Sequence, residues 1–131
     1  MSGALEEEEQ LQADPRLQQA IDLFNGGEWY ACHDGFEELW HETQGPMRPV
    51  LQGILQIAVA HLHLERGNLR GATVLMGEGL GRLVGCGDEV LGLLLCPLRE
   101  GVVARLTALQ QGGDPSWLPT PRLERVPTQR R

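Results

Sequence analysis

The sequence predicts an all-α fold, a compact bundle of about five helices, and three observations carry that expectation. Apolar residues recur at three- and four-residue spacing in successive stretches. Glycine and proline pairs punctuate those stretches, and no segment shows convincing strand alternation. The chain has 131 residues, of which 41% are hydrophobic and 22% charged, the balance of one globular domain with a core of its own.

The elements follow in order. Residues 1–13 hold Glu6, Glu7, Glu8 and Glu9 and are expected as a solvated, acidic flexible arm. The helical domain spans 14–113. Asp14 before Pro15 is an N-cap followed by proline at the first helical position; Leu17, Ala20, Ile21 and Phe24 then repeat until Gly26-Gly27 stops the run. A second helix covers about 28–43 and closes at Gly45 and Pro46. The third, about 46–66, is the most apolar and ends at Gly67-Asn68. A fourth starts near Leu69 and runs into a glycine-rich stretch. The fifth, about 97–111, opens at Pro97 and places Leu98, Val102, Leu106 and Leu109 on one face before Gly112-Gly113. Residues 114–131 hold Pro115, Pro119, Pro121 and Pro127 with Arg122, Arg125, Arg130 and Arg131, an extended basic tail. Both ends are expected to add little to the core.

A faint internal echo runs through the middle. Gly27 opens a helix containing Ala31, Phe36 and Leu39, and Gly67 opens one containing Ala72, Met76 and Leu80, a period of about 40 residues. Each unit is a helical hairpin resembling a tetratricopeptide repeat. Two copies are too few for a solenoid, so a closed bundle is expected.

Composition excludes several function classes. A net charge of −7 argues against unspecific attraction to nucleic acid or anionic lipid. No uncharged stretch reaches the roughly 20 residues of a membrane helix, and no signal peptide is visible. Cys32, Cys86 and Cys96 form no CxxC pair, which fits a reducing cytoplasm with each cysteine a small buried hydrophobe. The absence of lysine removes a Walker phosphate loop and Schiff-base chemistry. Serine occurs only as Ser2 and Ser116, both in expected tails, so a serine nucleophile in a folded site is not expected. Val74-Leu75-Met76 precedes Gly77, Gly79, Gly81 and Gly85, but the spacing is not GxGxxG and no βαβ unit surrounds it; these glycines are expected to pack helices.

Polar residues on the second and third helices form the candidate site. On a wheel, Trp29, His33, Phe36, Glu37 and Trp40 share an arc of about 100°. Arg48, Gln52, Gln56 and His63 share one of about 80° on the next helix. That helix carries Leu51, Leu55, Ala58 and Leu62 on one face, with Ile57, Ala60 and Leu64 on other sides. A helix apolar on most sides is buried, so its polar seam needs polar neighbours, and His33 and Glu37 are the natural ones.

These residues resemble a known family, domain-of-unknown-function family 309. Its HxxxExxW signature appears as His33, Glu37 and Trp40. The pattern GxxRxxxQGxxQ appears as Gly45, Arg48, Gln52, Gly53 and Gln56, and HxxxGNxxGA as His63, Gly67, Asn68, Gly71 and Ala72. The resemblance covers roughly residues 24–84. It implies a compact helical fold and metal binding through the His/Glu motif, and no reaction. The chain departs from the family pattern in the glycines between Gly77 and Gly87, which leaves the length of the fourth helix open.

Three readings of the cluster compete. His33, Glu37 and His63 could ligate a divalent metal ion, with Arg48, Gln52, Gln56 and Trp40 holding a small anionic ligand. A pocket free of metal could bind the ligand alone. A structural network could pair a buried Glu37 with Arg48, leaving a non-catalytic, repeat-like module that binds a protein partner.

Overall fold

The computed structural model describes residues 3–127. Among them the fold is all-α, with six helices where the sequence suggests five. Helix α4 (Arg48–Glu65) sits at the centre because its sequence leaves no polar side wide enough to face water. Val50, Leu51, Ile54, Ile57, Ala58 and Ala60 are each at most 2% exposed. Helices α3 (Trp29–Glu42) and α5 (Leu69–Leu83) pack against it, α2 (Pro15–Asn25) packs on α3, and α6 (Leu95–Gln110) packs on α5. The expectation that Val74–Leu83 is helical holds. No helix among the described residues is long and apolar enough to cross a membrane.

The echo in the sequence corresponds to two hairpins, α2–α3 and α4–α5, each closed by a three-residue link. Gly27 and Gly67 both take a left-handed conformation, φ 72° and 76°, just past a helix end, where a side chain would be strained. Phe36 and Met76, the large residues of the two copies, are both fully buried.

Helices α4 and α5 touch backbone to backbone. A Cβ on Gly79 would stand 2.8 Å from the Gly53 carbonyl oxygen, and one on Gly53 would stand 2.9 Å from Leu83 Cδ2. Packing is therefore the role of Gly79, but Gly77, Gly81 and Gly85 face open space. Cys32 is buried, and burial pushes its thiol up to about 12, so it stays an inert hydrophobe. Cys86 is half-buried and Cys96 is exposed, against the expectation that all three lie inside.

Both ends are more structured than their composition suggests. Where a flexible acidic arm is expected, residues 3–13 form helix α1 (Gly3–Ala13), rich in helix-favouring Glu, Gln, Leu and Ala. Its charges are not all solvated. Glu7 accepts hydrogen bonds from Gly45 N at 2.8 Å and Met47 N at 2.6 Å, and Glu8 accepts from Leu91 N at 2.6 Å. Leu11 on the same helix enters the core.

The proline-rich tail is extended but docked. A 3-10 turn (Pro115–Trp117) is followed by a chain whose Leu123 is 2% exposed. Asn25 brackets that residue, with Nδ2 donating to Leu123 O at 2.9 Å and Oδ1 accepting from Leu123 N at 2.8 Å. Arg130 and Arg131 lie outside the described residues. Strand β3 (Glu124–Arg125) then pairs with β2 (Leu93–Leu94), which pairs with β1 (Glu89–Val90) in an antiparallel ribbon. Two-residue strands are too short to alternate visibly, so composition alone gave no strand there. Leu91 and Gly92 form the connecting turn at φ 56° and 72°. Leu91 is fully buried, and that burial offsets the strain of its left-handed backbone.

Two outcomes follow in chemical denaturation. Gly79→Ala should cost about 1–3 kcal/mol by forcing α4 and α5 apart, while Gly77→Ala and Gly81→Ala should be neutral or gain up to about 1 kcal/mol. Equal effects at the three positions would contradict the backbone contact. Leu123→Ala should cost about 2–5 kcal/mol; a negligible change would show that the tail adds nothing to the core.

Candidate functional site

The buried face of α3 is Trp29, Cys32, Phe36 and Leu39. Glu37 follows Phe36 by about 100° of rotation and so lies at the edge of that face, its side chain 43% exposed. Its neighbour is His33, whose Nε2 lies 3.3 Å from Glu37 Oε2 while Nδ1 lies 3.2 Å from Asp34 Oδ1. The expected buried Glu37–Arg48 pair does not form. Arg48 reaches back across the α3–α4 turn instead, where Nη1 donates to Trp40 O at 2.9 Å and Thr43 O at 3.1 Å. Its guanidinium lies 4.1 Å from the Trp40 ring centre. Arg48 therefore closes the end of α3, satisfying carbonyls that the helix leaves open.

The other candidates face elsewhere. Gln56 points to α5, donating to Glu78 Oε1 at 3.1 Å and accepting from Arg82 Nε at 2.9 Å. Gln52 is half-buried on α4. His63 is half-buried and accepts from Asn68 Nδ2 at 3.2 Å, while Asn68 Oδ1 accepts from Gly71 N at 3.0 Å and caps α5. A Cβ on Gly71 would meet Asn68 Nδ2 at 2.6 Å, which explains the spacing of Asn68 and Gly71. Structure thus brings His33 to Glu37 and Arg48 to Trp40, but does not gather His33, Glu37 and His63. Among the described residues no three His, Cys, Asp or Glu side chains are grouped to hold a metal ion, so the metal implied by the family resemblance does not fit.

A cavity of about 380 Å³ opens on another part of α4. Its walls include Trp29, His61, Leu64, Leu69, Arg105 and Thr120, drawn from four helices and the docked tail. His61 is 2% exposed and stacks on Trp29, ring centres 4.6 Å apart. Its Nδ1 lies 2.8 Å from Ile57 O, a pure acceptor, so Nδ1 carries the proton and Nε2 is a bare acceptor. That Nε2 is buried and has no hydrogen-bond partner. Burial pushes the His61 pKa down to about 4, outweighing the Ile57 bond, which raises it, and the positive charge of Arg105 lowers it further.

Arg105 is 7% exposed and is the cation of the cavity wall. Nε donates to Pro119 O at 3.1 Å, and Nη2 donates to Leu118 O at 2.8 Å and Thr120 Oγ1 at 3.3 Å. Burial lowers its pKa, against a smaller raising influence of Asp114. A wider cleft of about 610 Å³ beside α1 holds Glu8 and Arg125, but these groups are already paired with Leu91 and Gln18.

Sequence reasoning passed over His61 and Arg105. The signal was present: Val50, Ile54, Ile57 and His61 form one helical stripe, and Leu98, Val102 and Arg105 another. A titratable side chain ending an apolar stripe marks a buried polar group. Ser116, expected in a free tail, also lines the cavity.

Arg48→Met should lower stability by about 1–3 kcal/mol through the lost carbonyl bonds, whereas Glu37→Gln should change it by no more than about 0.5 kcal/mol. Urea denaturation checks both, and a larger loss for Glu37→Gln would restore the buried pair.

The comparisons with known proteins agree with the resemblance noted in the sequence. Residues 17–75 match the family model described as a domain of unknown function, DUF309. No curated protein matches the chain. The matched span runs from Leu17 on α2 to Leu75 on α5; it contains the α3–α4 seam and His61 and ends before Arg105. Residues 17–75 of the chain are thus similar to the DUF309 family.

Proposed function

We propose that this chain is a binding protein for a small molecule, held in the cavity between Trp29, His61 and Arg105. The unpartnered Nε2 of His61 carries the reading. A buried acceptor without a donor costs about 1–3 kcal/mol, and a ligand that supplies the donor recovers it. The cavity's size and mixed lining suit such a ligand. In this reading the polar residues of the α3–α4 seam are structural: Arg48 closes α3, Gln56 ties α4 to α5, and His63 steadies the cap of α5.

A repeat-like module for a protein partner finds less support. Of the exposed apolar side chains on α5, Leu69 and Val74 lie about 140° apart on the wheel and form no single stripe. No reaction is assigned to the cavity.

Two measurements test this. A library of small fragments should perturb the NMR signals of Trp29, His61 and Thr120, leaving those of His33 and Glu37 in place; the reverse pattern would move the site back to the seam. The pH dependence of stability reports the buried ring. Between about 6.5 and about 4 the unfolded chain binds a proton at His61 that the folded chain refuses, so stability rises with pH across this window. Relative to His61→Phe, the wild type should lose about 3 kcal/mol as pH falls from about 6.5 through about 4. Parallel pH profiles for the two proteins would show that His61 is not held neutral.

A further inference from the structure

We infer that the ligand of this cavity is a small hydroxycarboxylic acid with an apolar side group, its carboxylate on Arg105 and its hydroxyl donating to His61 Nε2. The inference rests on the reading of the cavity as a ligand site and adds the chemical class.

Each part of the wall asks for a different group. His61 Nε2 can only accept, because the ring proton is committed to Ile57 O, so the ligand must bring a donor. An ammonium donor would face the Arg105 charge; a hydroxyl does not. Arg105 can only donate, and it commits Nε and Nη2 to Leu118, Pro119 and Thr120. Among the described residues Nη1 has no hydrogen-bond partner, and no carboxylate forms an ion pair with Arg105. A buried cation without a counter-charge favours an anion.

The acidic groups around the cavity do not fill that place. Asp114 is exposed and accepts from Ser116 N at 2.9 Å, and Glu65 is exposed at the end of α4, where water screens both. The two N–H groups of Nη1 are enough for a carboxylate, whereas the three oxygens of a phosphate need more donors than this wall offers. His61 and Arg105 line the same cavity, so acid and hydroxyl belong on one small ligand. Trp29, Leu64 and Leu69 leave an apolar wall for the remainder of the molecule.

The test uses the full chain and three matched probes: 3-phenyllactate, 3-phenylpropionate without the hydroxyl, and 3-phenylpropane-1,2-diol without the acid. Binding is followed by the ring signals of Trp29 and His61. Phenyllactate should bind at least about tenfold more tightly than either partner. His61→Phe should erase the preference for the hydroxyl and keep that for the acid, and Arg105→Gln should do the opposite, each variant first checked for a cooperative thermal transition. Should Arg105→Gln fail to fold, the Arg105 side-chain N–H signals of the wild type decide the matter: they should shift with both acids and not with the diol. Equal binding of phenyllactate and either partner overturns the inference while leaving the cavity a ligand site. No response from any probe also overturns it, and the broader reading then stands or falls on the fragment screen.

Discussion

The fold depends on one constraint, the need to surround a helix that has no adequate polar face. Helix α4 buries Leu51, Ile54, Ile57, Ala58 and Ala60 completely, so neighbours must cover it on several sides. The tightest of these contacts is with α5, where Gly53 and Gly79 let two backbones touch. That approach brings Gln56 within reach of Glu78 and Arg82, and it sets Leu83 over Gly53. The remaining elements, α1 and the docked tail included, pack on or cap the elements around that pair.

Many polar groups at the joints between elements have a local duty. Glu7 and Glu8 accept from backbone N–H groups of distant segments, Arg48 donates to two carbonyls, and Asn68 caps α5. Such groups are satisfied by the chain and leave nothing for a ligand. His61 and Arg105 differ. One is an acceptor with no donor, and the other is a cation whose partners are neutral oxygens. Buried groups in that state are costly unless something else completes them. What separates the cavity from the α3–α4 seam, where Trp40 Nε1 is likewise buried without a partner, is that its bare acceptor lines the same wall as a cation with no carboxylate paired to it.

Helical periodicity made the main bundle legible: α2 through α6 lie within a few residues of their expected spans, and Gly27, Gly67 and Asn68 mark the helix limits as turn chemistry requires. The ends were not legible, because four consecutive glutamates look solvated until two of them meet backbone donors far away in sequence. The two-residue strands carry no period at all. For the site, the wheel grouped His33, Glu37 and Trp40 correctly along one side of α3, but it could not say that Arg48 would turn toward helix-end carbonyls. His61 was visible in the same wheel as the last member of an apolar stripe. Weight given to its buried position, instead of to the motif, would have found it.

The central claim is that the folded chain holds His61 as a neutral ring with Nδ1 protonated and Nε2 bare, in the wall of the proposed ligand cavity. Nitrogen-15 spectroscopy of the His61 ring across about pH 5 to pH 8 measures this directly. The account predicts one unprotonated nitrogen, assigned to Nε2, throughout that range, and a shift of that signal alone when a hydroxyl-bearing ligand binds. A ring carrying protons on both nitrogens near pH 6, or a proton resting on Nε2 in the absence of ligand, would contradict it.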